Sequence, residues 1–361
     1  MIEVSLVKQL YAKEQLIDLF NASFPHDITE EYWDWYFLQN PLASRDPELI
    51  VAMDNGKIVG ARPFLLAEMW LGEKRVKVAQ HCNTMVHPDY QGRGIFGKMG
   101  EFAKKYLEDN GYAISFGFPG PMSRSGFLRQ GYRVVVENEE MFRIVRTKNL
   151  LSHKLGNRVL GNSLGSVFDR VLKGSKKFPK LYDHFEVGVF NQFTDILQDV
   201  DNIRDKAAIN LVRSESYLKW RLDLHPSHKY KYIILKKEGK LCGYAVISVQ
   251  QKLKDLPFGI LVDYLVKNKD LDCFRVLMDS CIDELGKSDA DILQAWSLNE
   301  PEFQNDLLKT FGFGPSNKYP YNRFRNYGYI EAMLIDETAA GQFDIYSKDN
   351  WRVTPIYHDT T

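Results

Sequence analysis

The sequence predicts an α/β protein that is built from two similar domains. In each domain we expect a mixed central sheet, of α+β type, that is flanked by helices. Two observations predict it. A strand, a glycine-rich turn and a helix follow one another within residues 74–110. A repeat with an offset of 181 to 185 residues also relates one half of the chain to the other. At 361 residues, the chain exceeds the size of one typical domain.

The elements of the first half follow from local patterns. Residues 50–53 have the composition of a strand, and Asp54-Asn55-Gly56 is typical of a hairpin turn. Apolar residues recur at helical spacing from Ile95 until Asn110-Gly111, which ends the helix. The remaining predicted elements are a strand at 58–70, a strand at 74–86 that leads into the glycine-rich turn and is called the motif strand below, a strand at 113–118, a helix near 122–130 and a last strand that begins at 131–135.

The glycine-rich turn precedes the helix that begins at Ile95, which is called the motif helix below. This turn is suited to binding an anion. Gly92, Gly94 and Gly97 leave backbone N–H groups accessible at the positive end of the helix dipole, and Arg93 adds a charge. A P-loop is excluded because the Gly-Lys-Ser/Thr ending is missing. A dinucleotide-binding fold is disfavoured because the next strand, 113–118, contains no acidic residue.

The segment Val-His-Pro-Asp-Tyr-Gln-Gly-Arg-Gly-Ile-Phe-Gly at 86–97 resembles motif A of the GNAT N-acetyltransferases, which binds the pyrophosphate of acetyl-CoA. Phe96 stands where Gly or Ala is usual, as in the subset that resembles the enhanced-intracellular-survival acetyltransferases. The resemblance implies that the strands beside the motif helix splay apart and that acetyl-CoA, or another acyl-CoA, lies in the gap. The implied cofactor-binding residues are Met85, Val86, Gln91, Gly92, Arg93, Gly94, Ile95, Phe96 and Gly97.

The catalytic residues are less evident than the cofactor loop. The resemblance implies a tyrosine general acid at a position that Phe127 occupies here. Ser123 or Ser125 is a candidate to replace it, directly or through water, although either serine could instead cap the following helix, and the thiolate could leave unaided. His81 is the candidate base, because it is the titratable side chain of suitable pKa on the motif strand. A strand histidine can also have a purely structural role.

The second half repeats the first without its glycine turn. Trp35 and Trp220 are equivalent, and we interpret both as buried anchors rather than as surfaces for substrate stacking. No glycine lies between Gly259 and Gly286, and Asp270 and Asp272 would repel a pyrophosphate. The second domain is therefore expected to cover the first domain's sheet and to form one wall of the acceptor pocket, without binding CoA.

These observations divide the chain into four parts: a catalytic domain at 1–147, a basic amphipathic connecting segment at 148–185, a degenerate GNAT-like domain at 186–334 and a tail at 335–361 packed on a domain. Residues 148–180 carry eight Lys and Arg against Asp169 alone. A connecting helix with a solvated charged face explains this composition, and weak contact with an anionic surface is the alternative.

The composition of the whole chain argues against several classes of function and location. Lys+Arg and Asp+Glu balance at 47 each, which gives no reason to expect nucleic acid. A signal pattern and a transmembrane run are both absent from the sequence, so we expect a cytoplasmic location. The four cysteines lack metal-ligand spacing, so no metal site is expected.

The sequence therefore predicts an acetyl-CoA-dependent N-acetyltransferase, which transfers an acyl group to a primary amine of a small molecule or amino sugar by direct attack. A non-catalytic acyl-CoA-binding or scaffold protein of the same fold is the alternative. An aminoacyl-transferase of the peptidoglycan-bridge type is a lower alternative.

Overall fold

The computed structural model places most of the chain in helices and strands. It describes residues 2–44, 48–155, 163, 165, 169, 177–253, 256–297, 306–324, 328–341 and 343–358. Within these residues, none of the helices has both the length and the apolar character needed to cross a membrane.

The first half begins with a strand and a helix and continues through the predicted series of strands. Its strands are β1 (Glu3–Lys8), β2 (Glu48–Asp54), β3 (Lys57–Arg62), β4 (Phe64–Leu71), β5 (Lys74–His81), β6 (Met85–Val86), β7 (Ile114–Gly117) and β8 (Arg133–Ile144). Its helices are α1 (Gln9–Ser23), α2 (Glu30–Trp33), which continues as a π-helical turn (Asp34–Leu38), α3 (Ile95–Asp109), α4 (Pro121–Arg129) and α5 (Lys148–Leu155).

Two predicted strands are each broken, and the breaks divide the sheet. Pro63 lacks an N–H donor and separates β3 from β4, while residues 82–84, with Asn83 at φ 46°, separate β5 from β6. β6 pairs with β3 in a four-stranded sheet of order β1-β2-β3-β6, whereas β5 pairs with β7 in a larger sheet. The last β5–β7 pair is His81 opposite Gly117, so a gap opens beyond it between β6 and β7.

The second half repeats this order. Its strands are β9 (Glu186–Phe190), β10 (Ile209–Leu211), β11 (Tyr230–Lys237), β12 (Lys240–Leu253), β13 (Leu256–Val266), β14 (Ile292–Ser297), β15 (Gly314–Pro315) and β16 (Gly328–Leu334). Its helices are α6 (Glu215–Leu218), which continues as a π-helical turn (Lys219–Asp223), α7 (Leu271–Lys287), α8 (Asp306–Thr310) and α9 (Glu337–Ala340). As in the first half, the strand after the long helix is parallel to the strand before it, β14 to β13.

The two halves exchange strands. β16 lies between β7 and β8 of the first half, with Ala332 opposite both Phe116 and Arg133. The later part of β8 lies in turn between β14 and β15 of the second half. One continuous twelve-stranded sheet therefore runs through both halves, and each half depends on a strand from the other.

A pair of equivalent tryptophans marks the pseudo-symmetry axis. The Nε1 of Trp35 donates to the Trp220 carbonyl at 2.8 Å, and the Nε1 of Trp220 donates to the Trp35 carbonyl at 2.6 Å. Their rings stack with centroids 5.7 Å apart, and both side chains are buried. The hydroxyls of Thr29 and Ser214 cap the two equivalent short helices by accepting from the backbone N–H three residues later. Trp35 and Trp220 are thus part of the core between the halves.

The tail after β16 is buried. Trp351 forms a parallel bridge with Ile209, and Tyr357 lies against Phe116 with ring centroids 6.5 Å apart. The hydroxyl of Thr354 donates to Asp263 at 2.6 Å. The tail therefore covers the face of the larger sheet that carries Phe116, opposite the face on which His81 packs against Phe127. Most of the basic segment predicted at 148–180 lies outside the described residues.

Candidate active site

The glycine-rich turn forms an open cradle at the start of α3. Gly92 and Gly94 both have φ of 75°, a conformation that favours glycine, and Gly94 is the N-cap of α3. A Cβ at Gly92, Gly94 or Gly97 would have no neighbour within 4 Å, so the space in front of the backbone is free. The first N–H groups of a helix have no intrahelical partner. The residues present therefore suit an anion such as a pyrophosphate.

Side chains of the turn hold its backbone in place. The amide of Gln91 donates to the Val86 carbonyl at 3.3 Å, and the guanidinium of Arg93 donates to the Asp89 carbonyl at 2.8 Å. The Nδ1 of His87 accepts from the Asp89 N–H. Arg93 thus keeps its charge at the mouth of the cradle, and His87 shapes the turn.

The side chains of the remaining predicted cofactor residues pack within the protein. Met85 and Ile95 are buried, and Val86 packs with Ile95 in the apolar cluster between α3 and β2–β3. β6, formed by Met85 and Val86, is the outer strand of its sheet, so its second edge faces the gap. Phe96 packs on Phe127 with ring centroids 5.1 Å apart. The unusual Phe96 fits because a Cβ at Gly126 would lie 2.6 Å from its ring.

His81 lies at the end of β5, where the gap opens. Its ring stacks on Phe127 with centroids 3.8 Å apart and covers Gly117, whose Cβ would lie 2.2 Å from the ring. His81 is buried, and its Nε2 has no hydrogen-bond partner. Burial, reinforced by the charge of Arg62, holds the pKa of His81 well below its usual range. The imidazole is therefore neutral at pH 7 and a weaker base than free histidine.

A buried polar chain connects α3 with the strands around His81. Arg62, which is 1% exposed, donates to Gln130 at 2.7 Å and to the Tyr132 hydroxyl at 3.2 Å. Gln130 in turn donates to the Phe96 carbonyl in the first turn of α3 at 3.1 Å. The chain fixes the helix that carries the cradle relative to the gap. Arg62 and Gln130 were missed by sequence reasoning, because their partners are distant in the chain.

The two candidate serines lie inside α4 rather than at its cap. The N-cap is Gly120, followed by Pro121, so the interpretation of either serine as a cap is wrong. The hydroxyl of Ser123 donates to the Gly120 carbonyl at 3.3 Å, and Ser125 is exposed. Their role as a proton donor stays a prediction.

The exchanged strand β16 brings a carboxylate to the same region. Glu331 pairs with Gly117, which also pairs with His81, and paired residues point to the same face of a sheet. Its side chain is fully buried, with Oε1 3.3 Å from the Nε of Arg124 and Oε2 without a partner. Burial raises the pKa of Glu331 above its ordinary value, although Arg124 opposes this. No sequence pattern near position 331 indicated this placement.

The equivalent turn of the second half is already occupied by protein. Asp270 is the N-cap of α7, and its carboxylate accepts from the N–H groups of Asp272 and Cys273 at 2.9 and 3.0 Å. Gly94, the equivalent N-cap of α3, has no side chain that could do this. The anion-binding donors that are free in α3 are thus satisfied internally in α7.

Within the described part of the chain, no three His, Cys, Asp or Glu side chains are grouped so as to hold a metal ion. The fold does bring two thiols together that are far apart in sequence. The sulfurs of Cys242 and Cys273 lie 3.6 Å apart, and both cysteines are free.

Residues 9–135 match the family model described as an acetyltransferase (GNAT) domain. The match lies within the first half of the chain. No curated protein matches the chain by sequence.

Solved structures of the GNAT fold match most of the chain. A probable N-acyltransferase of unknown function from Enterococcus faecalis V583 has 13% identity and a TM-score of 0.65, over 94% of this chain and 74% of its own. A tandem GNAT protein from the clavulanic acid biosynthesis pathway has 10% identity and a TM-score of 0.54, over 95% and 100%. The N-myristoyltransferase of Saccharomyces cerevisiae, solved with bound myristoyl-CoA, has 13% identity and a TM-score of 0.56, over 92% and 77%. The predicted tandem GNAT fold class is confirmed.

Proposed function

We propose that the protein is an acyl-CoA-dependent N-acyltransferase, which transfers an acetyl or longer acyl group to a primary amine of a small molecule or amino sugar. The observation that carries the proposal is the open glycine cradle at the N-terminus of α3, directly beside the gap between β6 and β7. The GNAT domain supports acyl-CoA as the ligand class. The myristoyl-CoA in the yeast neighbour is one reason to test long acyl chains.

The reaction requires groups that bind the pyrophosphate, polarise the acyl carbonyl and accept a proton. Backbone N–H groups from Gly92 to Gly97 would hold the pyrophosphate, and the free edge of β6 at Met85 and Val86 would polarise the acyl carbonyl. Acyl-CoA supplies the activated thioester. A protonated amine cannot attack it, so a group in the site must accept a proton.

Two buried groups are candidates for that proton transfer. His81 remains the candidate base from the sequence, although the low pKa of its imidazole weakens it. Glu331 is the second candidate, since burial raises its pKa above the ordinary value and one of its oxygens has no hydrogen-bond partner. Loss of activity in His81→Gln at pH 7 with recovery at high pH would support the histidine. An unchanged pH–rate profile in His81→Gln, together with a changed one in Glu331→Gln, would support the carboxylate.

We further propose that only the first domain binds acyl-CoA, because the Asp270 carboxylate occupies the equivalent donors of the second. A cytoplasmic location and a weak contact of residues 148–180 with anionic surfaces stay predictions.

The decisive experiment is a thermal-shift titration with CoA, acetyl-CoA and longer acyl-CoAs. A ligand at 100 times its Kd stabilises the folded state by about 2.7 kcal/mol. Gly94→Glu should abolish the shift, because its side chain would enter the cradle. Gly111→Glu is the matched control: Gly111 has φ of 71° and equally open surroundings, but lies after the far end of α3. Loss of the shift in both variants, or in neither, would contradict the assignment.

A non-catalytic acyl-CoA-binding protein remains the second candidate, because Phe127 occupies the position of the usual acid and packs against His81. Release of free thiol from acetyl-CoA in the presence of an amine panel distinguishes the two. A clear thermal shift without thiol release from any amine would favour the binding protein. An aminoacyl-transferase of the peptidoglycan-bridge type would show neither.

A further inference from the structure

Arg221 is a fully buried cation without an acidic partner. It is 0% exposed; its Nη2 donates to the His358 carbonyl at 2.6 Å, and the Tyr217 hydroxyl lies close enough to interact with the guanidinium. Its Nε and Nη1 have no partner, and no carboxylate of the described residues forms an ion pair with it. Arg213 is equally buried but makes two bonds to Asp263, at 2.7 and 2.8 Å. An unpaired buried charge is strongly destabilising, so an anionic ligand group bound to Arg221 would be stabilising.

His225 presents another free donor beside Arg221. Its Nδ1 accepts from the N–H groups of Ser227 and His228, both at 3.1 Å, so the proton of the neutral ring is on Nε2. Burial and the charge of Arg221 lower the pKa of His225 to about 2, which keeps the ring neutral. Its Nε2 is buried without a partner. His225 is the repeat equivalent of Asn40, whose amide is satisfied by the Leu66 carbonyl.

A third unpaired group, the hydroxyl of Tyr230, lies in the same cluster. The Tyr230 and His225 rings are 5.8 Å apart. The Trp35 ring lies 4.3 Å from that of His225 and 5.4 Å from the Arg221 guanidinium carbon, which joins the first half of the chain to the cluster. Three N–H donors and one hydroxyl around a positive charge suit a ligand group that only accepts hydrogen bonds. A carboxylate has this chemistry and matches a guanidinium in geometry.

The cluster lies behind the gap, between the two halves. Phe118 directly follows β7, and its ring is 4.7 Å from that of His358, whose carbonyl binds Arg221. His81 and α4 are on the opposite face of the sheet, since Phe118 contacts the tail and Phe127 contacts His81. An acceptor bound at the cluster would thus reach the gap from the side opposite α4.

We propose that Arg221, His225 and Tyr230 bind a carboxylate of the acceptor, so that the acceptor is an amine that also carries a carboxylate, such as an amino acid. This proposal rests on the proposed acyltransferase function. In the reaction the amine nitrogen bonds to the acyl carbon and the carbon–sulfur bond breaks. The amine's proton passes through the base to the departing thiolate. The carboxylate stays unchanged and positions the amine.

The test compares amino acids with the same amino acids as primary amides, with acetyl-CoA as donor and thiol release as the readout. The wild-type protein should prefer the carboxylates by at least ~10-fold in kcat/KM, which corresponds to about 1.4 kcal/mol. Arg221→Gln should abolish this preference while leaving the KM for acetyl-CoA unchanged.

Tyr230→Phe protects the test against a folding defect in the arginine variant. Its hydroxyl has no partner, so a purely structural role predicts unchanged or higher stability and unchanged KM. Ligand binding predicts a several-fold rise in KM for carboxylate acceptors only. Tyr244→Phe, which removes a buried hydroxyl that interacts with Asp263 rather than with Arg221, should leave that KM unchanged.

The outcomes separate this proposal from the one on which it rests. Turnover of amines without preference for carboxylates overturns the carboxylate site and leaves the acyltransferase intact. Absence of turnover with every amine overturns the acyltransferase. The carboxylate site would then be tested by thermal shifts with amino acids alone, and it fails if wild-type protein and Arg221→Gln respond equally.

Discussion

Gly117 shows how a single position determines the shape of the gap. It is the last residue of β7, and its missing side chain allows the His81 ring to lie across the strand against Phe127. The glycine therefore fixes where the imidazole lies, although its own backbone conformation is ordinary.

We expect Gly117→Ala to destabilise the protein by about 1–3 kcal/mol, because the added methyl group would force the stacked ring out of place. Urea unfolding would measure this loss. His81→Ala removes the clash, so the double variant should lose less stability than the sum of the two single variants. Gly120→Ala, whose Cβ meets no atom within 4 Å, should cost less than about 1 kcal/mol. A fully additive double variant would contradict the packing described for His81.

The buried histidines predict a loss of stability in mild acid. The folded-state pKa values of His81 and His225 lie below the unfolded value of 6.5. Below pH 6.5, these two histidines are therefore protonated in the unfolded chain but remain neutral in the folded protein. Each should cost about 1 kcal/mol of unfolding free energy between pH 6.5 and 5.5. Urea unfolding at both pH values should therefore show a loss that is about 1 kcal/mol smaller in His81→Gln than in the wild-type protein. An equal pH dependence in that variant would mean that His81 titrates normally when folded.

At the scale of single elements, the sequence predicted the helices and turns that are determined by residues close together in the chain. The glycine turn, α3 and its end at Asn110 were predictable because capping and periodicity are local signals. Residues 58–70, which the sequence predicts as one strand, are broken at Pro63, because proline has no N–H to donate to a neighbouring strand. The contacts of Arg62 and Glu331 were not predictable, because tertiary pairing alone brings their partners together.

Trp35 and Trp220, each in a π-helical turn, should be coupled in their effects on the free energy of unfolding. Replacing either with Phe leaves the partner's buried carbonyl without a donor, which costs about 1–3 kcal/mol beyond the lost ring packing. In urea unfolding, the double variant should show a coupling energy of about 0.5–3 kcal/mol. Trp70→Phe removes an indole bond to Asp201 in a partly exposed position and should show no coupling to Trp220. Additive effects of Trp35 and Trp220 would contradict their mutual hydrogen bonds.

At the scale of the whole molecule, the strand exchange is what a sequence repeat cannot reveal. Equivalent positions in the two halves predict two copies, but they do not say which copy supplies the strand beside β7. The structure assigns that place to β16, more than 200 residues later in the chain, and thereby puts Glu331 on the same sheet face as His81, with Gly117 of β7 between them. The candidate site thus contains residues from both halves.

The exchange predicts that neither half folds alone. A fragment of residues 1–147 would lack β16 and expose the edges of β7 and β8, while a fragment of 148–361 would lack the strand between β14 and β15. Each fragment should therefore unfold without a cooperative transition, and co-expression should yield a one-to-one complex with a single transition. Circular dichroism in urea, with size-exclusion chromatography of the mixture, measures both properties. A cooperative transition in the isolated 1–147 fragment would mean that the amino-terminal half supplies its own missing strand, and the carboxylate on β16 would then have no place in the site.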